Sequence, residues 1–346
     1  MTPVDLIQLQ TLPDWDKLEF RFTQTDYMFI AQADLEGNWR NGGIYPFQNL
    51  TISPASAVLN YGQAVFEGMK ALRTTKERVV LFRPKDNAER FQKSCERLEM
   101  PKYPIDDFVS AVKKVVCANA RWIPPSEKGS LYIRPVMIGS GPVLGVQPAQ
   151  CYIFYIFVSP VGGYMGGSSE LIVFANVHRI AQYSTGDVKA AGNYAGTFKW
   201  HGNADKEKYK DALYLDARQD RYVEELGSSN FFVILKDATL VTPPLDGSIL
   251  PGYTRDSVIT IARGWNWKVE ERPIDIQEVI TDAQEAFCTG TAAVIQPITG
   301  VNYRGRLYKI GAGEKGEMTT RLYDELVGIQ IQQRPDPHGW VVEVEV

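Results

Sequence analysis

Cysteine and histidine are scarce in this chain, and neither is clustered. Cys95, Cys117, Cys151 and Cys288 stand too far apart for a zinc pattern or a disulfide framework. His178, His201 and His338 are equally scattered, so no HExxH-type site is expected and no metal is assigned. The thiols read as buried side chains and the histidines as ordinary surface groups. The formal net charge is −4 and no basic run is present, so neither nucleic acid nor a membrane surface is an expected partner. The longest apolar run, 151–158, falls far short of a membrane span. The opening Met1-Thr2-Pro3-Val4-Asp5 has neither a basic-apolar signal pattern nor an Arg/Ser-rich transit composition, and a cytoplasmic location is the expectation. Internal repeats and low-complexity tracts are also missing.

What is present is ordinary globular material: 346 residues, 44% hydrophobic and 23% charged, enough for about two domains. Val79-Val80-Leu81-Phe82-Arg83 reads as a short strand stopped by Pro84. Ala88, Phe91, Cys95 and Leu98 then recur at helical spacing, as do Phe108, Val112, Val115 and Val116. Stretches 131–134 and 151–158 read as buried strands. Glycines crowd into 160–169, which is therefore the interdomain loop between a small α/β domain over 1–159 and a larger domain over 170–346. In the second domain, strands are expected over 171–175, 212–215, 231–235, 239–242 and 285–288. Helices are expected over 256–263 and 318–329, with an alternating strand at 341–346. The fold class is mixed α/β in two domains, with a ligand at their junction.

Several short stretches carry groups suited to chemistry. Lys189 ends the polar Gly186-Asp187-Val188 and opens Ala190-Ala191-Gly192, small residues that let backbone approach a ligand closely; Tyr194 lies five residues on. Glu224-Glu225-Leu226-Gly227-Ser228-Ser229-Asn230 can be read as two solvated glutamates at a turn. Leu250-Pro251-Gly252-Tyr253-Thr254-Arg255-Asp256 runs from a turn into a helix with Thr254 as N-cap. Cys288-Thr289-Gly290-Thr291-Ala292-Ala293 is a second small-residue turn. Tyr132 and Arg134, two apart on a strand, project from the same face. An arginine on so apolar a strand needs a polar partner, supplied by a structural salt bridge or by a ligand.

Taken in order, these stretches resemble the branched-chain aminotransferases, pyridoxal-phosphate (PLP) enzymes of fold type IV, the D-amino-acid-aminotransferase-like group. The resemblance covers nearly the whole chain. It includes Tyr61-Gly62-Gln63-Ala64-Val65-Phe66-Glu67-Gly68, Leu131-Tyr132-Ile133-Arg134-Pro135, Leu144-Gly145-Val146 and His338-Gly339-Trp340 besides the motifs above.

The resemblance implies pyridoxal 5'-phosphate as cofactor and Lys189 as the catalytic Schiff-base lysine. Tyr194 would face the cofactor's phenolic oxygen. Counting five back from Asn230 selects Glu225, not Glu224, as the partner of the pyridine nitrogen. Arg83, Tyr253, Thr254, Gly290 and Thr291 would serve the phosphate, the threonines mainly through backbone N–H groups. Thr291 and Ala292 would also offer backbone donors to the substrate carboxylate. Tyr61, Phe66, Tyr132, Arg134, Tyr164 and Ser228 would line the substrate pocket, completed across a homodimer interface by Leu144 and Val146. The implied enzyme is a branched-chain-amino-acid transaminase acting on leucine, isoleucine and valine with 2-oxoglutarate. Alternatives on the same fold are a specialised biosynthetic aminotransferase, a D-amino-acid transaminase, a PLP lyase, or a non-catalytic PLP-binding protein. Two departures stand out. Ala293-Val294-Ile295-Gln296 replaces the Cys-x-x-Cys of animal members, and Gln24 aligns loosely with a pocket position that is aromatic in some members.

Overall fold

The computed structural model describes residues 10–163 and 169–346, and the chain divides into two compact units, Met1–Tyr164 with Gln330–Val346, and Met165–Ile329. The division falls inside the glycine-rich stretch 160–169, half of which (164–168) lies outside the described residues. The tail differs from the sequence expectation. Residues 330–346 belong with the first unit because the C-terminal strand Val341–Val344 pairs antiparallel with a strand there, Val341 opposite Phe82. Backbone pairing across more than 250 residues leaves no local trace in sequence.

The first unit contains β1 (Tyr27–Asp34), β2 (Arg40–Pro46), α1 (Ala57–Tyr61), β3 (Ala64–Phe66), β4 (Met69–Arg73), β5 (Val79–Phe82), α2 (Pro84–Arg97), α3 (Ile105–Ala118), β6 (Ser130–Gly139) and β7 (Cys151–Val161). The sheet runs from the C-terminal strand through β5, β4, β6, β7 and β1 to β2, with β3 also on β6. Pro84 does more than stop β5. With φ preset for a helix it takes the first helical position of α2, while Arg83 sits in the left-handed region at φ 52. The apolar faces of α2 and α3 bury Phe91 and Phe108 against Phe154 of β7, with ring centroids at 5.4 and 5.7 Å. Within this apolar unit Glu67 and Arg90 are both buried. They are bonded in two places at 2.8 Å, the fork geometry that makes a buried ion pair tolerable.

The second unit contains β8 (Ser169–Val173), α4 (Gly192–Ala195), α5 (Phe198–Lys206), β9 (Asp211–Leu215), β10 (Val223–Leu226), β11 (Asn230–Leu235), β12 (Leu240–Thr242), α6 (Tyr253–Gly264), β13 (Val269–Glu271), α7 (Ile276–Asp282), β14 (Ala283–Gly290), β15 (Val294–Tyr303), β16 (Arg306–Lys309) and α8 (Glu317–Gln330). Strands β10, β9, β8, β15, β14 and β11 follow one another by hydrogen bonding, and β10 pairs again with β11. Among the described residues these six strands therefore close on themselves as a barrel. The closing pair is Glu225 opposite Asn230. β11 is buried along its whole length, as expected of a strand packed on both faces. Helix α7, not expected from the sequence, is capped by Asp275, which accepts from Gln277 N–H at 2.9 Å, and it buries Ile276 and Val279 against the barrel core.

Candidate active site

The Lys189 segment is held by a side chain rather than by regular structure. Thr185 donates through Oγ1 to Asn193 Oδ1 at 2.6 Å. Asn193 Nδ2 in turn donates to Thr185 O at 2.6 Å and Val188 O at 3.1 Å. The buried amide thus clamps the backbone just before Lys189, and the short helix α4 brings Tyr194 round to it. Lys189 Nζ donates to Tyr194 OH at 3.1 Å. Gly186 is required a few residues earlier, because a Cβ there would overlap the carbonyl of Ser248 and the side chain of Ile180.

Glu225 is not a solvated turn residue. The turn Leu226-Gly227-Ser228-Ser229, closed by Leu226 N to Ser229 O at 2.9 Å, folds β10 back onto β11 and sets residue 225 opposite 230. Asn230 Nδ2 donates to Glu225 Oε2 at 3.0 Å and to Leu250 O at 2.9 Å, while Leu250 N–H donates to Glu225 Oε1 at 3.3 Å. The five-residue spacing in the sequence is the length of this hairpin.

Arg179 completes the arrangement, and sequence reasoning missed it. Its Nη2 lies 2.8 Å from Glu225 Oε1, and its Cζ lies 5.8 Å from the Tyr194 ring centroid. Burial pushes the Glu225 carboxyl up, opposed by Arg179, the Leu250 N–H, Lys189 and Arg255. No local pattern marks an arginine ten residues ahead of a lysine; only the folded loop joins them.

The turns expected to serve a phosphate are both present. Helix α6 starts at Tyr253 with Gly252 as its N-cap, so Thr254 is not the cap and lies buried in the first turn. The correction has a steric cause: a Cβ at position 252 would overlap Asn230 Oδ1, so the residue in the cap position has to be glycine. The N-cap glycine has no side chain of its own to cap this helix start, which suits an anion. Gly290 ends β14, and Thr291 and Ala292 form the turn into β15. Ser228 is exposed at the tip of the β10–β11 hairpin.

The first unit holds the other expected residues. Arg134 Cζ stands 4.9 Å from the Phe66 ring and 5.2 Å from the Tyr132 ring, and its Nη2 donates to Tyr132 OH at 3.4 Å. Among the described residues it forms no salt bridge, and its buried Nε has no hydrogen-bond partner, so the structural ion pair considered for Arg134 does not exist. Arg83 is paired with Asp86, and its Cζ lies 5.2 Å from the Trp340 ring. Tyr61 donates to the carbonyl of Leu144. Leu144 and Val146 are 93% and 90% exposed. Tyr164 lies outside the described residues.

Three features of the second unit fit a pyridoxal phosphate. A sealed carboxylate, Glu225, is suited to a protonated ring nitrogen. A helix start with glycine as its cap is suited to a phosphate. Buried Arg179 Nε and Nη1 and Thr289 Oγ1 have no protein partner among the described residues, as expected where a polar ligand completes a site.

Comparison with known proteins points the same way. Residues 64–301 match the family model described as amino-transferase class IV. The chain is similar to branched-chain-amino-acid aminotransferase 5, chloroplastic, of Arabidopsis thaliana, at 44% identity over 96% of this chain and 80% of that protein. It is similar to a methionine aminotransferase of the same plant at 40% identity, over 96% of this chain and 93% of that one. In fold it resembles a T.th. branched-chain amino acid aminotransferase solved with pyridoxamine 5'-phosphate. That match has a TM-score of 0.77 and 28% identity, covering 92% of this chain and 98% of the other.

Proposed function

This chain belongs to the branched-chain aminotransferases of the class IV family, and we propose that it interconverts leucine, isoleucine and valine with their 2-oxo acids, using 2-oxoglutarate and glutamate as the other pair. The observation that carries the chemistry is the contact of Lys189 Nζ with Tyr194 OH in the same unit as the sealed Glu225–Arg179 pair. Pyridoxal phosphate, when bound, supplies the carbonyl that carries the amino group and a ring that accepts electrons as the substrate Cα–H bond breaks.

The chain's own residues do the rest. Lys189 Nζ would anchor the cofactor and, once displaced by the substrate amine, move a proton from the substrate Cα to the cofactor's C4′, and from C4′ back to Cα in the second half of the reaction. Tyr194 OH orients that amine. Glu225 holds the ring nitrogen in its protonated form, and Arg179 favours the ionised carboxylate despite its burial. The start of α6 and the Gly290-Thr291-Ala292 turn are assigned to phosphate and substrate carboxylate, with Thr254 in the first and Arg83 added on the resemblance. Phe66, Tyr132 and Arg134 are assigned to the substrate side chain. The rings suit branched aliphatic groups, and the guanidinium, which forms no salt bridge among the described residues, suits the second carboxylate of glutamate. The exposed Leu144 and Val146 support a homodimer in which this loop is covered. A cytoplasmic location is part of the same proposal, resting on composition; several relatives are named as chloroplastic or mitochondrial proteins.

An amino-donor screen with 2-oxoglutarate as acceptor tests the reading. Leucine, isoleucine and valine should lead, ahead of phenylalanine and ornithine. The methionine aminotransferase among the relatives supports a second reading, in which an unbranched thioether side chain is preferred. Methionine as the best donor would replace the leading substrate assignment.

A further inference from the structure

Two residues of the first unit that lie far apart in sequence meet through both backbone and side chain. Arg83 N–H donates to the Trp340 carbonyl at 2.7 Å, and the Arg83 Cζ stands over the Trp340 ring at 5.2 Å from its centroid. Trp340 ends the His338-Gly339-Trp340 motif, which the reaction proposed above leaves without a role.

The ring is held in place from several sides. Asp336 accepts from His338 N–H at 3.2 Å and from Val341 N–H at 2.8 Å, which folds the motif into a turn ahead of the C-terminal strand. That strand pairs with β5, Val341 opposite Phe82. Trp340 is buried, with Phe82 in a T-shaped contact at 5.7 Å and His338 stacked on it at 4.3 Å.

Arg83 is constrained as closely. Its backbone lies in the left-handed region at φ 52, which costs an arginine free energy and persists only where neighbours fix it. Those neighbours hold three of its groups. The Trp340 carbonyl takes its N–H, and Asp86 takes its Nε. Asn87 donates to its carbonyl from the backbone N–H at 3.2 Å and from Nδ2 at 2.8 Å. A long side chain tied at one nitrogen still has rotamers to choose from. A flat ring beneath the guanidinium limits that choice and attracts the charge.

We infer that Trp340 is a positioning residue for Arg83: the C-terminal turn supplies the ring on which the phosphate arginine rests. Arg83 is a phosphate ligand by resemblance, and the role of Trp340 rests on that reading. Trp340→Leu removes the ring and keeps the backbone carbonyl, the strand and an apolar side chain.

The test compares pyridoxal 5'-phosphate with pyridoxal, which lacks the phosphate, as ligands of the cofactor-free full-length chain. A general loosening of the fold weakens both ligands alike, whereas a misplaced arginine weakens only the phosphorylated one. The ratio of the two affinities should fall by roughly tenfold in Trp340→Leu, as expected for a cation–ring contact largely removed from water. Trp340→Phe, with a weaker ring, should fall between Trp340→Leu and wild type. Arg83→Met should lower the ratio at least as far, and adding Trp340→Leu to it should lower the ratio no further. An unchanged ratio in Arg83→Met removes Arg83 from the phosphate, and the role of Trp340 with it. A lowered ratio in Arg83→Met beside a wild-type ratio in Trp340→Leu overturns the role of Trp340 alone, as do additive losses in the double variant. If Trp340→Leu does not accumulate in folded form, Trp340→Phe decides, and a wild-type ratio there overturns the inference.

Discussion

Arg179 Nη2 lies 2.8 Å from Glu225 Oε1, and each side chain is sealed from solvent to within a few per cent. Neither charge has water to fall back on, so each depends on the other. Removing one partner of such a pair costs about 3–5 kcal/mol, mostly the penalty of the charge left behind. Arg179→Met should lower the unfolding midpoint sharply and weaken PLP retention. Combining it with Glu225→Gln should cost less than the sum of the two single changes. Strict additivity in thermal melts would show that the pair is not coupled.

Glu225→Gln is expected to keep much of the bound cofactor while losing turnover by roughly a thousandfold or more, since an amide cannot hold a ring nitrogen protonated. The check is kcat for leucine with 2-oxoglutarate, alongside a count of bound PLP. Near-wild-type kcat would remove Glu225 from its assigned role.

Borohydride reduction of the holoenzyme should leave a pyridoxyl label on Lys189, located by peptide mass mapping. Lys199, in α5, is the control, and a label there would end the Lys189 assignment. Lys189→Ala should show no measurable turnover, because anchor and proton carrier are lost together.

Asn193→Ala removes the amide that ties Thr185 and Val188 to α4. The buried carbonyls left without donors should cost about 1–3 kcal/mol. The catalytic amine would lose its fixed position, so kcat should fall more than KM rises. A variant as stable and as fast as wild type would show that this clamp is ornamental.

Val146→Asp addresses assembly. Val146 is 90% exposed in a loop with Leu144, and burying both in a second copy gives them a reason to be apolar. The variant should weaken self-association in sedimentation velocity and raise KM for leucine while leaving PLP binding near normal. A fully active wild-type monomer would refute the dimer.

Much of the site was legible because its pieces are local. Lys189 and Tyr194 meet through one short helix, and Glu225 and Asn230 meet through one hairpin, so each pair stands five residues apart in sequence and in contact in space. Tyr132 and Arg134 share a face because strand geometry alternates. Thr254 is not the helix cap: cap preference ranks threonine and glycine about equally and cannot choose between them, whereas the close approach of Asn230 decides position 252 sterically.

By itself the sequence determined many of the element types and the motif spacings, since propensity, alternation and turn chemistry act over a few residues. Tertiary structure alone decided three things: that the last strand completes the first unit's sheet, that six strands close at Glu225 and Asn230, and that Arg179 folds back onto Glu225. Strand pairing and buried charge pairing join residues that are distant along the chain, and the energy that selects them exists only once the chain has excluded water around them.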